Sequence, residues 1–279
     1  MNQKAFAIFV GALMVLSAFA GFVFMGGNQT APVAVTAPDS LQTFGVKGQL
    51  VDWSFDGLGD VLEMCPENTT MAYWINLSAP GNLTGAASAA LPQSFGLQYG
   101  SQMYATKIEK LAVAYFNNTW TEFHWIKPFP IAYSGLMVPY KDYMMIPQGT
   151  EYATVVGKPT LFGPQEGLKS VLDVISGDMP TDKFTLAAGE QADLQVAALG
   201  KTSIAAGGIK EFYLGVSSTE DGSNLSAKYL QPDASTIQKV KEIASKYGFS
   251  YSSEASVDEI TGSVDKDNLS EVLMAIMGP

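Results

Sequence analysis

Nine asparagines occur in this chain of 279 residues, and seven of them open an Asn-X-Ser/Thr triplet. They are Asn28, Asn68, Asn76, Asn82, Asn117, Asn224 and Asn268, with only Asn2 and Asn118 outside such a triplet. The triplet is the acceptor for an N-linked sugar. A glycan is bulky and hydrated, so a position that carries one has to face solvent in the folded chain. The fold is therefore expected to hold seven points at its surface, spread from residue 28 to residue 268. Chance would leave most of the nine outside triplets, so the pattern points to a glycoprotein that works outside the cytoplasm.

The N-terminus fits export. Lys4 is followed by the uncharged run Ala5 to Met25, and no charge returns until Asp39. Two readings stand side by side. Ala5 to Leu16 can be the apolar core of a signal peptide cut after the small residues Ala18 and Ala20. Alternatively the whole run stays as a helix of about 30 Å, long enough to cross a bilayer. The run continues through Gly21 to Met25, which favours the uncut anchor, with Lys4 on the cytoplasmic side.

Cys65 is the only cysteine, so no disulfide can form within the chain and the fold must stand on packing. Secreted domains with many glycosylation triplets commonly carry disulfides as well. The opening MNQKAFAIFVGALMVLSAFAGFVFMGGNQTAP resembles the leader and short tether of exported, N-glycosylated cell-surface proteins of methanogenic archaea. The lone cysteine and the formal charge of −11 are similar to that group too. The resemblance covers the leader and the composition only. It implies a cell-surface location and carries no active site.

All 16 basic residues are lysine. Arginine is the preferred bidentate partner of phosphate, and the chain has none. Together with the acidic balance, this argues against nucleic acid as a partner and against phosphoryl transfer. Charge is also uneven. Asn68 to Thr106 contains no charged residue and reads as a long loop, either solubilised by sugars on Asn68, Asn76 and Asn82 or used as an interface.

Hydrophobic periodicity divides the chain into a leader or anchor (1–25), a Pro-rich tether (26–38), a first unit (39–181) and a second unit (182–279). A short helix is expected near 56–64, a strand at 71–77, and a hairpin of 111–116 with 120–126 turning at Asn117-Asn118. A helix should follow at 165–175. The second unit should hold strands near 193–199, 210–216 and 225–230, then a helix from Ser235 to Tyr247 closed by Gly248. Short strands near 249–252 and 260–264 and a helix begun by Asp267 or Asn268 complete it. The expected class is α+β, antiparallel sheets with helices packed on one face. The order strand, hairpin, helix recurs in both parts and allows them to be related units.

Candidate sites are few. His124 is the only histidine, too little with one cysteine for a zinc site. A Cys65–His124 nucleophile pair is conceivable, but a packed Cys65 at a helix end is the simpler reading. Asp56, Asp60, Glu63 and Glu67 recur at helical spacing and suit a solvated face better than an acid/base pair. Asp265, Asp267 and Glu271 only loosely follow a calcium loop. Glu220, Asp221 and Asn224 suit a hairpin turn.

Aromatic residues are dense from Tyr115 to Tyr143, and Trp120, Trp125, Phe129, Tyr133, Tyr140 and Tyr143 are the expected ligand or partner contacts. The Pro-rich segment from Ile126 to Gly149 is too long and apolar for a simple connector. No cofactor and no metal is expected. The sequence thus points to a non-catalytic, membrane-anchored surface protein that binds a partner or assembles at the envelope. An exported carbohydrate- or solute-binding module is the alternative, with a carboxylate-dependent hydrolase behind it.

Overall fold

A computed structural model describes residues 48–127, 137–200 and 208–277. The leader, the tether, Asn28, Phe129 and Tyr133 lie outside the described residues. The fold is α+β. In chain order it runs β1 (Val51–Asp52), α1 (Leu58–Glu63), β2 (Thr69–Asn76), α2 (Leu83–Ala90), α3 (Phe95–Tyr104), β3 (Lys107–Phe116) and β4 (Thr119–Lys127). Next come β5 (Val138–Tyr140), β6 (Tyr143–Gln148), β7 (Tyr152–Val155), β8 (Gly157–Lys158), β9 (Thr160–Pro164) and α4 (Gln165–Ile175). The chain ends with β10 (Leu194–Leu199), β11 (Glu211–Ser218), β12 (Gly222–Leu230), α5 (Ala234–Tyr247), β13 (Ser250–Glu254), β14 (Val257–Asp265) and α6 (Leu269–Met277).

Twelve strands form one antiparallel sheet in the order β13-β14-β12-β11-β10-β2-β3-β4-β9-β7-β6-β5, while β1 pairs in parallel with β8. The boundary expected at residue 181 does not interrupt this sheet. Strand β10 lies directly against β2, with Leu194 opposite Ile75 and Ala198 opposite Met71.

Helices cover both faces, which corrects the expectation of a single helical layer. Side chains alternate across a strand, and the central strands are apolar on both sides. Tyr73, Ile75, Leu111, Val196 and Leu214 meet α2, α5 and α6 on the first face. Ala72, Trp74, Ala112, Phe123, Ala197 and Tyr213 meet α1 and α4 on the second. A sheet that is greasy on both sides needs two covering layers.

The uncharged stretch 68–106 is not a loop. It forms β2, α2 and α3. Its inner part is apolar because β2 is central and Ala86 and Ala87 of α2 pack into the first-face core, while the outer sides of α2 and α3 are exposed and carry Thr84, Ser88, Gln98 and Gln102 in place of charge. Alanine is the strongest helix former, and Ser94 caps α3 by accepting a hydrogen bond from the Leu97 amide at 3.1 Å. Helix α5 is capped by Asp233 rather than Ser235, because the Asp233 carboxylate takes the Thr236 amide at 2.8 Å and the Ser235 hydroxyl donates to it. It closes at Gly248 in the left-handed conformation, φ 70°, a backbone that glycine adopts without a Cβ penalty. The β3–β4 turn is Asn117-Asn118, with φ of 48° and 58°, the pattern favoured in a two-residue hairpin.

Candidate functional site

Of the six triplet asparagines among the described residues, Asn68, Asn82, Asn117, Asn224 and Asn268 are exposed and Asn76 is half-buried. Asn68 and Asn117 sit at one end of the central strands, where Thr69 pairs with Phe116. Asn76 and Asn224 lie at the other end. Asn76 is tied down, since its amide donates to Asp193 at 3.0 Å and its side-chain oxygen accepts the Ser78 N–H at 3.1 Å. Asn224 is not in the hairpin turn with Glu220 and Asp221. It lies in β12 between Ser217 and Ser263, and the Ser263 hydroxyl donates to its side chain.

The four expected aromatic contacts among the described residues, Trp120, Trp125, Tyr140 and Tyr143, do not converge on one surface. Tyr143 is buried in the second-face core. Tyr140 donates its hydroxyl to Asp173 at 2.8 Å, and that hydrogen bond is the first cause of its raised pKa. Trp125 stacks on Phe55 at 6.2 Å under the ammonium of Lys110. Trp120 belongs to a separate, half-exposed cluster: its ring lies 5.6 Å from Phe95 and 5.9 Å from Tyr152, over the buried Phe162, with the exposed Tyr99 alongside Phe95.

His124 is wholly buried, and its surroundings escaped the sequence reading. One ring nitrogen, Nε2, lies 2.8 Å from Glu122 Oε2, and the other, Nδ1, lies 2.6 Å from the Tyr104 hydroxyl. Glu122 is 1% exposed and also accepts the Phe95 and Gly96 amides, both at 2.7 Å, at the start of α3. A carboxylate at a helix N-terminus is stabilised by the unpaired amides and the helix dipole. Burial, and then the charge of Glu122, push Tyr115 up to about 12. Gly96 makes the close approach possible, because a Cβ there would stand 2.7 Å from His124 Nε2 and 2.1 Å from a Leu111 methyl. This Tyr-His-Glu chain has the parts of a proton relay but no open floor for a substrate. Its evident work is to clamp α3 onto β3 and β4. The Glu122-x-His124 spacing on a strand was the available signal, since it places both on one face.

Cys65 is buried in the second-face core, on the other side of the sheet from His124. Burial raises its thiol well above the usual range, which keeps it from acting as a thiolate nucleophile. The four spaced carboxylates do not form a shared helical face. Helix α1 spans only Leu58–Glu63, Asp56 pairs with Lys110 at 2.7 Å, and Glu67 lies 3.6 Å from Lys183. Glu271 meets Lys246 and Tyr247. Among the described residues, no three His, Cys, Asp or Glu side chains converge as metal ligands.

A cleft of about 750 Å³ opens between the Pro66–Asn68 turn, the last turns of α4 and the loop Gly177–Lys183. Glu67, Asp173 and Asp178 line it. Asp173 is held by Tyr140 and by Lys141 at 2.7 Å, and Glu67 has a side chain 73% exposed.

No family model matches the chain, and no curated protein matches it. Solved structures do. The fold is similar to that of TP0453, a bacterial protein. Its crystal form III aligns with a TM-score of 0.51 at 11% identity, covering 79% of this chain and 98% of that one. Crystal form I aligns at 0.49 and 9% identity, covering 78% and 97%. At such identity the likeness to TP0453 is one of fold, and it transfers no functional residue.

Proposed function

We propose that this chain is an N-glycosylated surface protein, exported and held at the outer face of the membrane by its apolar N-terminus, where it binds a partner or assembles in the envelope without catalysis. The observation that supports the reading is the placement of the triplets. Five of the six described asparagines project to solvent from turns, strand ends and helix starts, where a glycan costs no core packing. The apolar run 5–25 lies outside the described residues, and among those described no helix is long and apolar enough to cross a membrane. Intact mass of the protein from its native cells tests the reading. The expected result is a mass above the 29.8 kDa polypeptide by several glycans. A mass equal to the bare chain, cut or uncut, overturns it.

One observation favours a second reading, a carbohydrate-binding module. The cluster of Phe95, Tyr99, Trp120 and Tyr152 offers partly exposed rings at the surface, and aromatic faces suit the apolar side of a sugar. A titration of soluble saccharides should then quench tryptophan fluorescence, and Trp120→Ala should abolish the response.

A further inference from the structure

Met179 is 79% exposed, against 47% for Tyr99 and Met274 and 44% for Val138, the other large hydrophobic side chains at the surface among the described residues. It stands in the wall of the cleft that also contains Asn68. The cleft is firmly built. The Thr181 amide donates to the Cys65 carbonyl at 2.9 Å, Pro66 bridges to Pro180, and the Thr69 amide and hydroxyl both donate to the Pro66 carbonyl, at 3.0 and 2.7 Å. The Asp178 amide closes the end of α4 on the Asp173 carbonyl at 3.0 Å. Asn68 is therefore held in a tight turn at the cleft wall, with its exposed side chain ready to carry a substituent.

We propose that the glycan on Asn68 folds back into this cleft and covers Met179. The inference rests on the glycoprotein reading above and names the place of one sugar. A cleft of this volume is within the usual range for a bound small molecule, about 300–1,000 Å³. Its lining matches the chemistry of a pyranose. Val174 and Met179 offer apolar contact for the ring's C–H face, and Ser170, Asp178 and Lys183 offer hydrogen-bonding groups for its hydroxyl rim. A covalently tethered sugar also needs no affinity of its own to arrive there, because attachment at the wall raises its effective concentration.

Peroxide footprinting tests the proposal. Hydrogen peroxide transfers one oxygen to the methionine sulfur, giving sulfoxide and water, and susceptibility follows exposure. The protein purified from its native cells is compared with Asn68→Gln and with Thr70→Ala, which removes the acceptor hydroxyl two residues on and leaves Asn68 in place. Met179 oxidation is read by peptide mass as a ratio to Met274, and the same peptides report occupancy at every triplet. The expected result is an occupied Asn68 and a Met179 ratio that rises roughly twofold or more in both variants, as exposure is restored. An occupied Asn68 with an unchanged ratio overturns the proposal. So does a Met179 that stays protected in both variants, which would give the cleft to another occupant. A bare Asn68 beside glycans on other triplets overturns this inference alone, whereas bare asparagines at all seven triplets overturn the glycoprotein reading itself.

Discussion

The middle of the sheet and its β12–β14–β13 flank follow different rules. In β2, β3, β10 and β11, consecutive residues are buried, as in Met71 to Ile75 and Leu194 to Ala198. In β12, burial alternates strictly: Ser223, Leu225, Ala227 and Tyr229 are interior, while Asn224, Ser226 and Lys228 face outward. The flank is a two-layer structure, with α5 and α6 beneath it and an open polar surface above. There Ser226 donates to Glu259 at 2.8 Å and Ser263 to Asn224 at 2.8 Å. The middle is a three-layer structure. One sheet thus changes from a sealed interior to a wettable surface within a few strands, according to whether helices cover one side or both.

The difference can be broken at its most tightly bound point first. Glu122→Ala strands two helix amides and the His124 ring in the interior. Leaving buried partners unsatisfied should cost about 3 kcal/mol or more, read as a lowered urea midpoint. Adjacent substitutions sharpen the contrast further. In β3, Leu111→Ala should cost about 2–5 kcal/mol by opening a cavity, and its neighbour Ala112→Val about 1–3 kcal/mol by overpacking the opposite core. In β14 the same experiment should split. Ile260→Ala should again cost about 2–5 kcal/mol, but the exposed neighbour Thr261→Ala should stay within about 0.5 kcal/mol. Equal costs for Ile260 and Thr261 would show that the open flank is covered by something.

The smallest effect is local and depends on pH. Asp233, at the start of α5, has its pKa lowered to about 2, chiefly by the Thr236 amide and then by the Ser235 hydroxyl. An unfolded aspartate titrates near 3.9. The cap therefore contributes its stability above about pH 4, and that contribution is lost as pH falls through about 2. Protection of the Thr236 amide, its exchange rate measured against the intrinsic rate at each pH, should fall over that interval. In Asp233→Asn, whose cap does not titrate, that fall should vanish.

The strands of both regions were legible in the sequence: β2, β3, β4, β10 and β11 stand as near their expected places as β12, β13 and β14 do. In the flank, alternation in β12 and the apolar stripe of α5 with its Gly248 stop carry a local signal; in the middle, the Asn117-Asn118 turn does; and each element stands near its expected place. What escaped in the middle is the burial of its strands on both faces and the helices α2 and α3. Strands buried on both faces lose their period of two, and the Ala- and Gly-rich segments of α2 and α3 have too little contrast between faces to show a helical period. Uncharged residues that read as a loop form β2, α2 and α3. The Tyr104–His124–Glu122 cluster was missed for a related reason: Tyr104 arrives from a helix that had not been expected, so only the Glu122-x-His124 pair could have been read. The aromatic contacts dispersed because ring-rich strands alternate, which sends Tyr143 into the core and leaves Trp120 at the surface.

Strand β2 lies between β3, which follows soon after it, and β10, which is synthesised much later. Closing loops of that length slows folding. The β2–β10 seam at the centre of the sheet therefore stays open until residues 194–199 have been made. The order of the strands is in this sense also a clock.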